Sequence, residues 1–119
     1  MTTSGNQSAL SIQQPYADAI LDGRLDHTRR SKRTNKRERV FLYATRDIVD
    51  DERFPVDPAK ECVTSAVLGA VDIIDCVKVE DGYHWMLANP ERFDAPRRVV
   101  NGPQPMFWTP QFESGQTPS

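Results

Sequence analysis

Alternating hydrophobic and polar residues over several short stretches predict that this chain folds mainly into strands. Leu10 and Ile12 alternate with polar neighbours and indicate a first strand. Residues 40–45 (VFLYAT) alternate in the same way, with the even-numbered side chains on one side. The strongest signal is residues 66–79 (AVLGAVDIIDCVKV), in which both alternating faces are largely apolar. That pattern is typical of a central strand covered on both sides, or of a strand in a barrel.

One helix is predicted directly after the first strand. Tyr16, Ala19 and Ile20 recur at the spacing of a single helical face. Pro15 suits the first helical position, and Gly23 suits the left-handed residue that ends a helix. We therefore expect a short helix that packs its apolar face against the strands.

Turn signals divide the second half of the chain. Asp81-Gly82 is a favourable two-residue hairpin turn that leads into a strand at residues 83–87. Asn89-Pro90 begins a further turn, because asparagine and proline favour turn initiation.

The remaining segments complete the predicted fold. Residues 46–65 are acidic and interrupted by proline, which predicts a loop with one helical turn at most. Residues 99–100 and 106–108 are the expected closing strands. The predicted fold class is therefore α+β and mainly β, a small and largely antiparallel β-barrel with one principal helix and short helical additions.

Length and composition fit one domain. A chain of 119 residues builds a single core. The ends are rich in Thr, Ser, Gly, Gln and Pro, which predicts disordered tails at residues 1–7 and 111–119 and a folded domain at residues 8–110. No stretch carries the ~18 apolar residues of a membrane span. The polar N-terminus lacks a signal-peptide core, so we expect a cytoplasmic protein without a membrane partner.

Cysteine and histidine usage gives no indication of a metal site. Cys62 and Cys76 are the only cysteines and do not form a CxxC motif, so we expect two reduced thiols. His27 and His84 lack the spacing of the common zinc motifs. The sequence therefore predicts neither a metal nor another cofactor.

The most informative feature for function is the basic run, which we define as residues 24–39. It holds eight basic and two acidic residues, so its net charge is +6 in a chain whose total is −2. Positive charge concentrated beside an acidic body attracts anions, of which nucleic-acid phosphate is the commonest. A solvated loop without a ligand would carry the same charges, so charge alone leaves both interpretations open.

Four blocks of the sequence, in order, resemble the ASCH domain family of the PUA-like superfamily. They are LSIQQPYADAILDG at residues 10–23, RTNKRERVFLYAT at 33–45, SAVLGAVDIIDC at 65–76, and YHWMLANPERF with GPQPMFWTP at 83–93 and 102–110. The resemblance implies a PUA-like β-barrel with a cleft beside the first helix, and binding of RNA or other nucleic acid. It also implies hydrolysis as an alternative, because some small members are acetylcytidine amidohydrolases or ribonucleases.

One departure from the family pattern concerns catalysis. Typical members read Gly-x-Lys-Thr-x-Glu-x-Arg after the helix, with Thr in place of Glu in the amidohydrolase type. Gly23, Thr28 and Arg30 match that variant, whereas Leu25 stands at the lysine position. Leucine neither donates a proton nor stabilises an oxyanion, so we favour a protein without this catalytic activity. Thr28 is the catalytic candidate only under the hydrolase alternative.

We therefore predict a nucleic-acid-binding domain, with RNA as the expected partner, that uses the basic run and the adjoining cleft. Two of its residues have structural alternatives: Arg30 as an ion-pair partner of Asp72 or Asp75, and Tyr16 as part of the apolar helix face. The predicted contact residues are Arg24, Arg29, Arg30, Lys32, Arg33, Lys36 and Arg37, with Gln14 and Tyr16.

Two rival functions stay open on the sequence. The first is a hydrolase of a modified nucleoside or of RNA, in which a lysine from another strand, such as Lys78, fills the position vacated at Leu25. The second is a protein-interaction module whose basic run docks an acidic partner.

Overall fold

The computed structural model describes residues 7–55, 62–101, 103 and 107–113. Six strands form one sheet in the order β2-β5-β4-β3-β1-β6, in which only β1 and β3 run parallel. In chain order the elements are β1 (Ala9–Gln14), α1 (Tyr16–Leu21), β2 (His27–Arg30), β3 (Arg39–Ile48), β4 (Ala66–Val79), β5 (Gly82–Arg97) and β6 (Phe107–Trp108).

The prediction of a mainly β fold with one principal helix is confirmed. More than half of the described residues lie in strands, and α1 is their one helix. The short helical additions are not found in the described part of the chain. The sequence contains several stretches with the periodicity of a strand but only one with the periodicity of a helix, and the described part of the structure accordingly has six strands and one helix.

Helix α1 forms where its apolar spacing predicts it. Ala17, Ala19 and Ile20 are buried, and Gly23 adopts φ +80°, the left-handed conformation expected after the helix. Pro15 lies one residue earlier than expected, at the N-cap rather than in the first turn, and follows a cis peptide bond. The helix packs its buried face on the sheet.

Side chains connect the two ends of the sheet. Arg30 on β2 donates a hydrogen bond from Nη2 to the backbone oxygen of Ser11 on β1, at 2.5 Å. Trp85 on β5 stacks on Phe107 of β6, with ring centroids 5.4 Å apart and planes inclined by 13°. Because β2 and β5 lie at one end of the strand order and β1 and β6 at the other, the sheet curls into an open half-barrel.

The two faces of the sheet explain why β4 is apolar on both sides. Ala66, Leu68, Val71 and Ile73 enter one cluster of buried side chains, whereas Val67 enters a second. The inner cluster contains α1 and Trp85, whereas the outer cluster contains Tyr43, Val67 and Trp108. The sequence pattern of residues 66–79 is thereby confirmed as a central strand between β3 and β5.

The hairpin between β4 and β5 turns one residue earlier than predicted. Its loop residues are Glu80 and Asp81, and Gly82 is the first residue of β5, opposite Val79. Gly82 is required for another reason, since a Cβ atom there would lie 2.6 Å from the backbone oxygen of Arg30. The glycine therefore permits the close approach of β2 instead of forming the turn.

Asn89-Pro90 does not begin a turn, because β5 runs through it without a break. The pairing of β4 and β5 shifts register at this point, and Asn89 adopts φ +54°. Its side chain donates a hydrogen bond to Asp72 Oδ2 at 2.9 Å, which fixes the irregularity against β4. The turn-forming residues of the sequence here form a bulge inside a strand.

The C-terminal segments form less strand than predicted. Strand β6 covers residues 107–108, and Met106 lies outside the described residues. Val99 forms only an isolated bridge, with Phe112. Residues 111–113, within the predicted C-terminal tail, are thus held beside residues 98–100 by backbone hydrogen bonds. Residues 1–6 and 114–119 of the predicted tails lie outside the described residues.

The predicted loop at residues 46–65 is partly strand. Residues 46–48 belong to β3, and residues 49–55 make a turn without helix. Residues 56–61 lie outside the part that the structure describes.

Candidate functional site

The seam between β1 and β2 contains a cleft of about 440 Å³, which we call the seam cleft. Among the described residues, β6 pairs with β1 at Ala9 and Leu10 only, so no described strand lies beside the next residues on that edge. In the described part of the chain, β2 pairs with β5 alone, so its other edge also faces the opening. The lining is residues 11–13 and 27–30, with Tyr16, Leu25 and Arg53.

The charge of the lining is one-sided. Three of the described lining residues are arginines, and none is acidic. Arg29 and Arg30 come from β2, and Arg53 comes from the loop after β3. Tyr16 adds one aromatic ring at the start of α1. A cleft of this composition attracts an anion with a flat apolar group.

Arg30 is the most unusual charged residue of the seam cleft. Its guanidinium is partly buried, lies 5.3 Å from the centroid of the Trp85 ring and contacts the Ser11 carbonyl. Burial lowers the pKa of Arg30, and no carboxylate of the described residues pairs with it. The predicted alternative partners are engaged elsewhere, because Asp72 pairs with Arg39 and Asp75 with Arg37.

A carboxylate outside the cleft fixes two of its lining residues. The Tyr16 hydroxyl donates to Asp51 Oδ2 at 2.7 Å, and Arg53 donates to the same carboxylate from Nε at 3.1 Å and Nη2 at 2.8 Å. The Arg53 and Tyr16 hydrogen bonds hold the pKa of Asp51 well below its usual range. The Asp51 hydrogen bond raises the pKa of Tyr16. Phe54 meets the Tyr16 ring edge-on, at 6.1 Å between centroids.

Gln14 does not face the seam cleft as predicted. Its side chain is fully buried and donates from Nε2 to the Val63 backbone oxygen at 2.7 Å and to Asp18 Oδ2 at 3.0 Å. Its Oε1 accepts a hydrogen bond from the Asp18 amide, which belongs to the first turn of α1. Gln14 therefore connects the helix to the chain before β4, and its amide has no group left to offer a ligand.

Much of the basic run is paired at the surface. The pairs are Arg24–Asp22 at 3.2 Å, Arg29–Asp81 at 3.7 Å, Lys36–Glu38 at 3.4 Å, Arg37–Asp75 at 3.9 Å, and Arg39 with Asp72 at 2.9 Å and Glu91 at 3.0 Å. Exposed pairs of this kind are worth only ~0–1 kcal/mol, so a phosphate displaces them readily. Within the described residues, Arg30, Lys32 and Arg33 belong to no ion pair.

A stack of four side chains joins the basic run to the seam cleft. Lys36 Nζ lies 4.8 Å from the centroid of the Phe107 ring, and Phe107 stacks on Trp85. The Arg30 guanidinium lies over the Trp85 ring. Trp85 also donates from Nε1 to the backbone oxygen of Lys32 at 2.9 Å. Lys32, through its backbone, and Lys36, through Phe107, are thus held in place by Trp85, which is fully buried.

The lysine of the hydrolase alternative, Lys78, is not among the described residues that line the seam cleft. Thr28 and Leu25 both line the seam cleft. The Nζ atom of Lys78 instead lies 5.3 Å from the centroid of the Tyr83 ring. No lysine is present among the described lining residues. His27 lines the cleft, stacks on His84 at 4.2 Å and bonds Asp26, whose pKa it lowers.

The structure adds three residues that sequence reasoning missed. Arg53 completes the arginine set, Asp51 positions it, and Ser11 accepts the Arg30 hydrogen bond through its backbone. Arg53 and Asp51 lie in a segment interpreted only as an acidic loop. Contacts across 35 residues, such as Tyr16–Asp51, leave no local pattern in one sequence.

The sequence matches no model of a known protein family and no curated protein. Across the described ranges, no helix is long and apolar enough to cross a membrane. The same residues contain no group of three or more His, Cys, Asp or Glu side chains arranged for a metal ion.

Proposed function

We propose that this protein is a nucleic-acid-binding domain of the ASCH and PUA-like kind, which takes single-stranded RNA through the basic run and the seam cleft. The supporting observation is the seam cleft itself, whose described lining holds three arginines and no acidic residue, and after which the chain carries Lys32 and Arg33, which form no ion pair among the described residues. Its contact residues are Arg29, Arg30, Lys32, Arg33, Arg53 and Tyr16.

A single strand fits this site better than a duplex. The seam cleft has the volume of a small-molecule pocket, at the lower end of the ~300–1,000 Å³ range, and a double helix does not enter it. A single strand presents unstacked bases to an aromatic side chain and phosphates to a basic groove. Tyr16 and the basic run supply these two contacts.

Salt dependence of binding tests this function. Fluorescence anisotropy with labelled single-stranded RNA and with its duplex form gives both affinities at several salt concentrations. If about four phosphates are neutralised, log K falls with log salt at a slope of roughly −3 for the single strand. We expect the single strand to bind more tightly than the duplex. RNA affinity that does not change with salt would contradict the proposal.

A matched pair of variants locates the interaction. Lys32→Gln with Arg33→Gln removes two exposed and unpaired cations, so the salt slope should decrease by about 1.4. Arg46→Gln removes an exposed cation of β3 outside the seam cleft, and its slope should remain close to that of the wild type. An equal decrease in salt slope per removed charge for the Lys32/Arg33 variant and the Arg46 variant would indicate that the net charge of the protein, and not this surface, sets the affinity.

The two rivals have separate outcomes. For the hydrolase, release of acetate from acetylcytidine by the wild type and not by Thr28→Ala would establish catalysis. For the protein-interaction module, heparin and polyglutamate would compete with RNA at equal charge concentration. Competition that follows charge alone, without preference for nucleic acid, would favour an acidic protein partner.

A further inference from the structure

We infer that the seam cleft receives the phosphorylated end of a single-stranded nucleic acid, with a terminal phosphomonoester against the Arg30 guanidinium. The inference rests on the proposed function and names the part of the nucleic acid that enters the cleft. It follows from the place of Arg30, from the absence of a carboxylate partner for it among the described residues, and from the size of the cleft.

Arg30 lies at the end of the seam cleft nearest to β6. It contacts Ser11, the first lining residue after the two β1 positions that β6 covers. Beside it, the stacked rings of Trp85 and Phe107 connect the two ends of the sheet. Tyr16 at the start of α1 and Arg53 in the loop after β3 also line the cleft.

The Arg30 guanidinium has unused capacity for an anion. One hydrogen bond goes to a carbonyl and one face lies on an indole ring, and neither contact neutralises its charge. A guanidinium removed from water is stabilised by a bidentate acidic group. Arg29 and Arg53, the other arginines of the described lining, have the same sign. The missing counter-charge is thus expected to come from the ligand.

The geometry favours a terminal phosphate over an internal one. An internal phosphodiester carries one charge and two flanking nucleotides, both of which need a way out of the cleft. A phosphomonoester carries about −1.5 to −2 charges at neutral pH and three acceptor oxygens, and only one chain leads away from it. A cleft of about 440 Å³ whose Arg30 has no carboxylate partner among the described residues matches the second group.

Three RNAs of one short sequence test the inference: one with a 5′-phosphate, one with a 3′-phosphate and one with hydroxyls at both ends. Each carries its dye at an internal position, and wild-type affinities are measured by anisotropy at fixed salt. We expect one phosphorylated RNA to bind at least about tenfold more tightly than the unphosphorylated RNA, as for a hydrogen-bonded charge pair. Equal affinity for all three would overturn the inference.

Variants assign the effect to Arg30. Arg30→Lys keeps a charge without the planar fork, so the preference for the phosphorylated end should fall severalfold, and Arg30→Met should abolish it. Arg33→Gln is the control and should weaken all three RNAs by the same factor. An end preference that survives both Arg30 substitutions would also overturn the inference.

The inference and the proposed function fail in different ways. Equal but salt-dependent binding of the three RNAs leaves the proposed function intact and removes the inference. Absence of binding by all three removes both. If the Arg30 variants do not fold, wild-type competition by adenosine 5′-monophosphate and adenosine 3′-monophosphate against adenosine provides the same comparison. Equal inhibition by the phosphorylated and unphosphorylated nucleosides would overturn the inference.

Discussion

Asp51 shows how one residue outside a site determines what the site offers. Its carboxylate accepts hydrogen bonds from the Tyr16 hydroxyl and from three nitrogens of Arg53, including the backbone amide. The aromatic ring and the guanidinium of the seam cleft are therefore fixed by one negative charge. Removal of that charge has two opposite effects on the binding of a polyanion. It reduces electrostatic repulsion, and it also removes the hydrogen bonds that hold the Tyr16 and Arg53 side chains in position.

We predict that Asp51→Asn weakens RNA binding although it removes a negative charge. Loss of the fixed Arg53 and Tyr16 positions should cost about three- to tenfold in affinity, as expected for the loss of one ordinary hydrogen bond to the ligand. Asp50→Asn, an exposed neighbour, is the matched control and should leave affinity equal or slightly higher. Tighter binding by both variants would show that Asp51 acts only as a repulsive charge.

The same substitution should change the titration of Tyr16. The Asp51 hydrogen bond raises the pKa of Tyr16 above 10.0, so the folded state favours the neutral phenol. The contribution of this hydrogen bond to the free energy of unfolding is complete at pH values below the pKa of Tyr16 in the unfolded chain. It is lost as the pH rises through the pKa of Tyr16 in the folded protein. Ultraviolet difference spectra, with Tyr16→Phe to assign the transition, should show a lower pKa in Asp51→Asn. An unchanged transition would contradict the hydrogen bond.

Gln14 illustrates a residue whose sequence context suggests binding while its surroundings make it structural. We predict that Gln14→Ala lowers the free energy of unfolding by about 1–3 kcal/mol, because the Val63 carbonyl and the Asp18 amide lose their partner. Urea unfolding measures the change, with the exposed Gln13→Ala as the control. Unchanged stability together with reduced RNA affinity would place Gln14 in the site after all.

At the scale of elements, the sequence predicted strands and helix well and predicted turns poorly. Apolar alternation in residues 66–79 and the spacing of Tyr16, Ala19 and Ile20 reflect burial, which one sequence records directly. Gly82 and Asn89 were interpreted as turn formers from local preference. Each instead serves a contact with a distant strand, Gly82 with Arg30 and Asn89 with Asp72, and distant partners are not encoded locally.

Gly82 connects the fold to the site. We predict that Gly82→Ala destabilises the protein by about 1–3 kcal/mol, since the new Cβ would overlap the Arg30 carbonyl and push β2 away from β5. RNA affinity should decrease as well, because β2 carries Arg29 and Arg30. Thermal unfolding and anisotropy measure the two effects. Glu80→Ala in the adjacent turn is the control, and equal behaviour of the two variants would contradict the steric explanation.

At the scale of the molecule, the candidate site arises from the curl of the sheet. Strands β1 and β2 stand near opposite ends of the strand order and become neighbours only because the half-barrel closes. The basic run was visible in the sequence, and Arg29 and Arg30 of it line the seam cleft. The pairing of Arg29, Arg37 and Arg39 with carboxylates was not visible, because it depends on β4, β5 and their turn.

The central claim is that a single-stranded nucleic acid binds at Arg30 in the seam cleft. Arginine side-chain NMR spectra recorded during titration with short single-stranded RNA test it most directly, because each Nε–H reports one residue. We predict saturable shifts of Arg29, Arg30 and Arg53 with one common dissociation constant, and unchanged signals from Arg46 and Arg97. Shifts of uniform size over all arginines, or an unperturbed Arg30 signal at saturation, would contradict the claim.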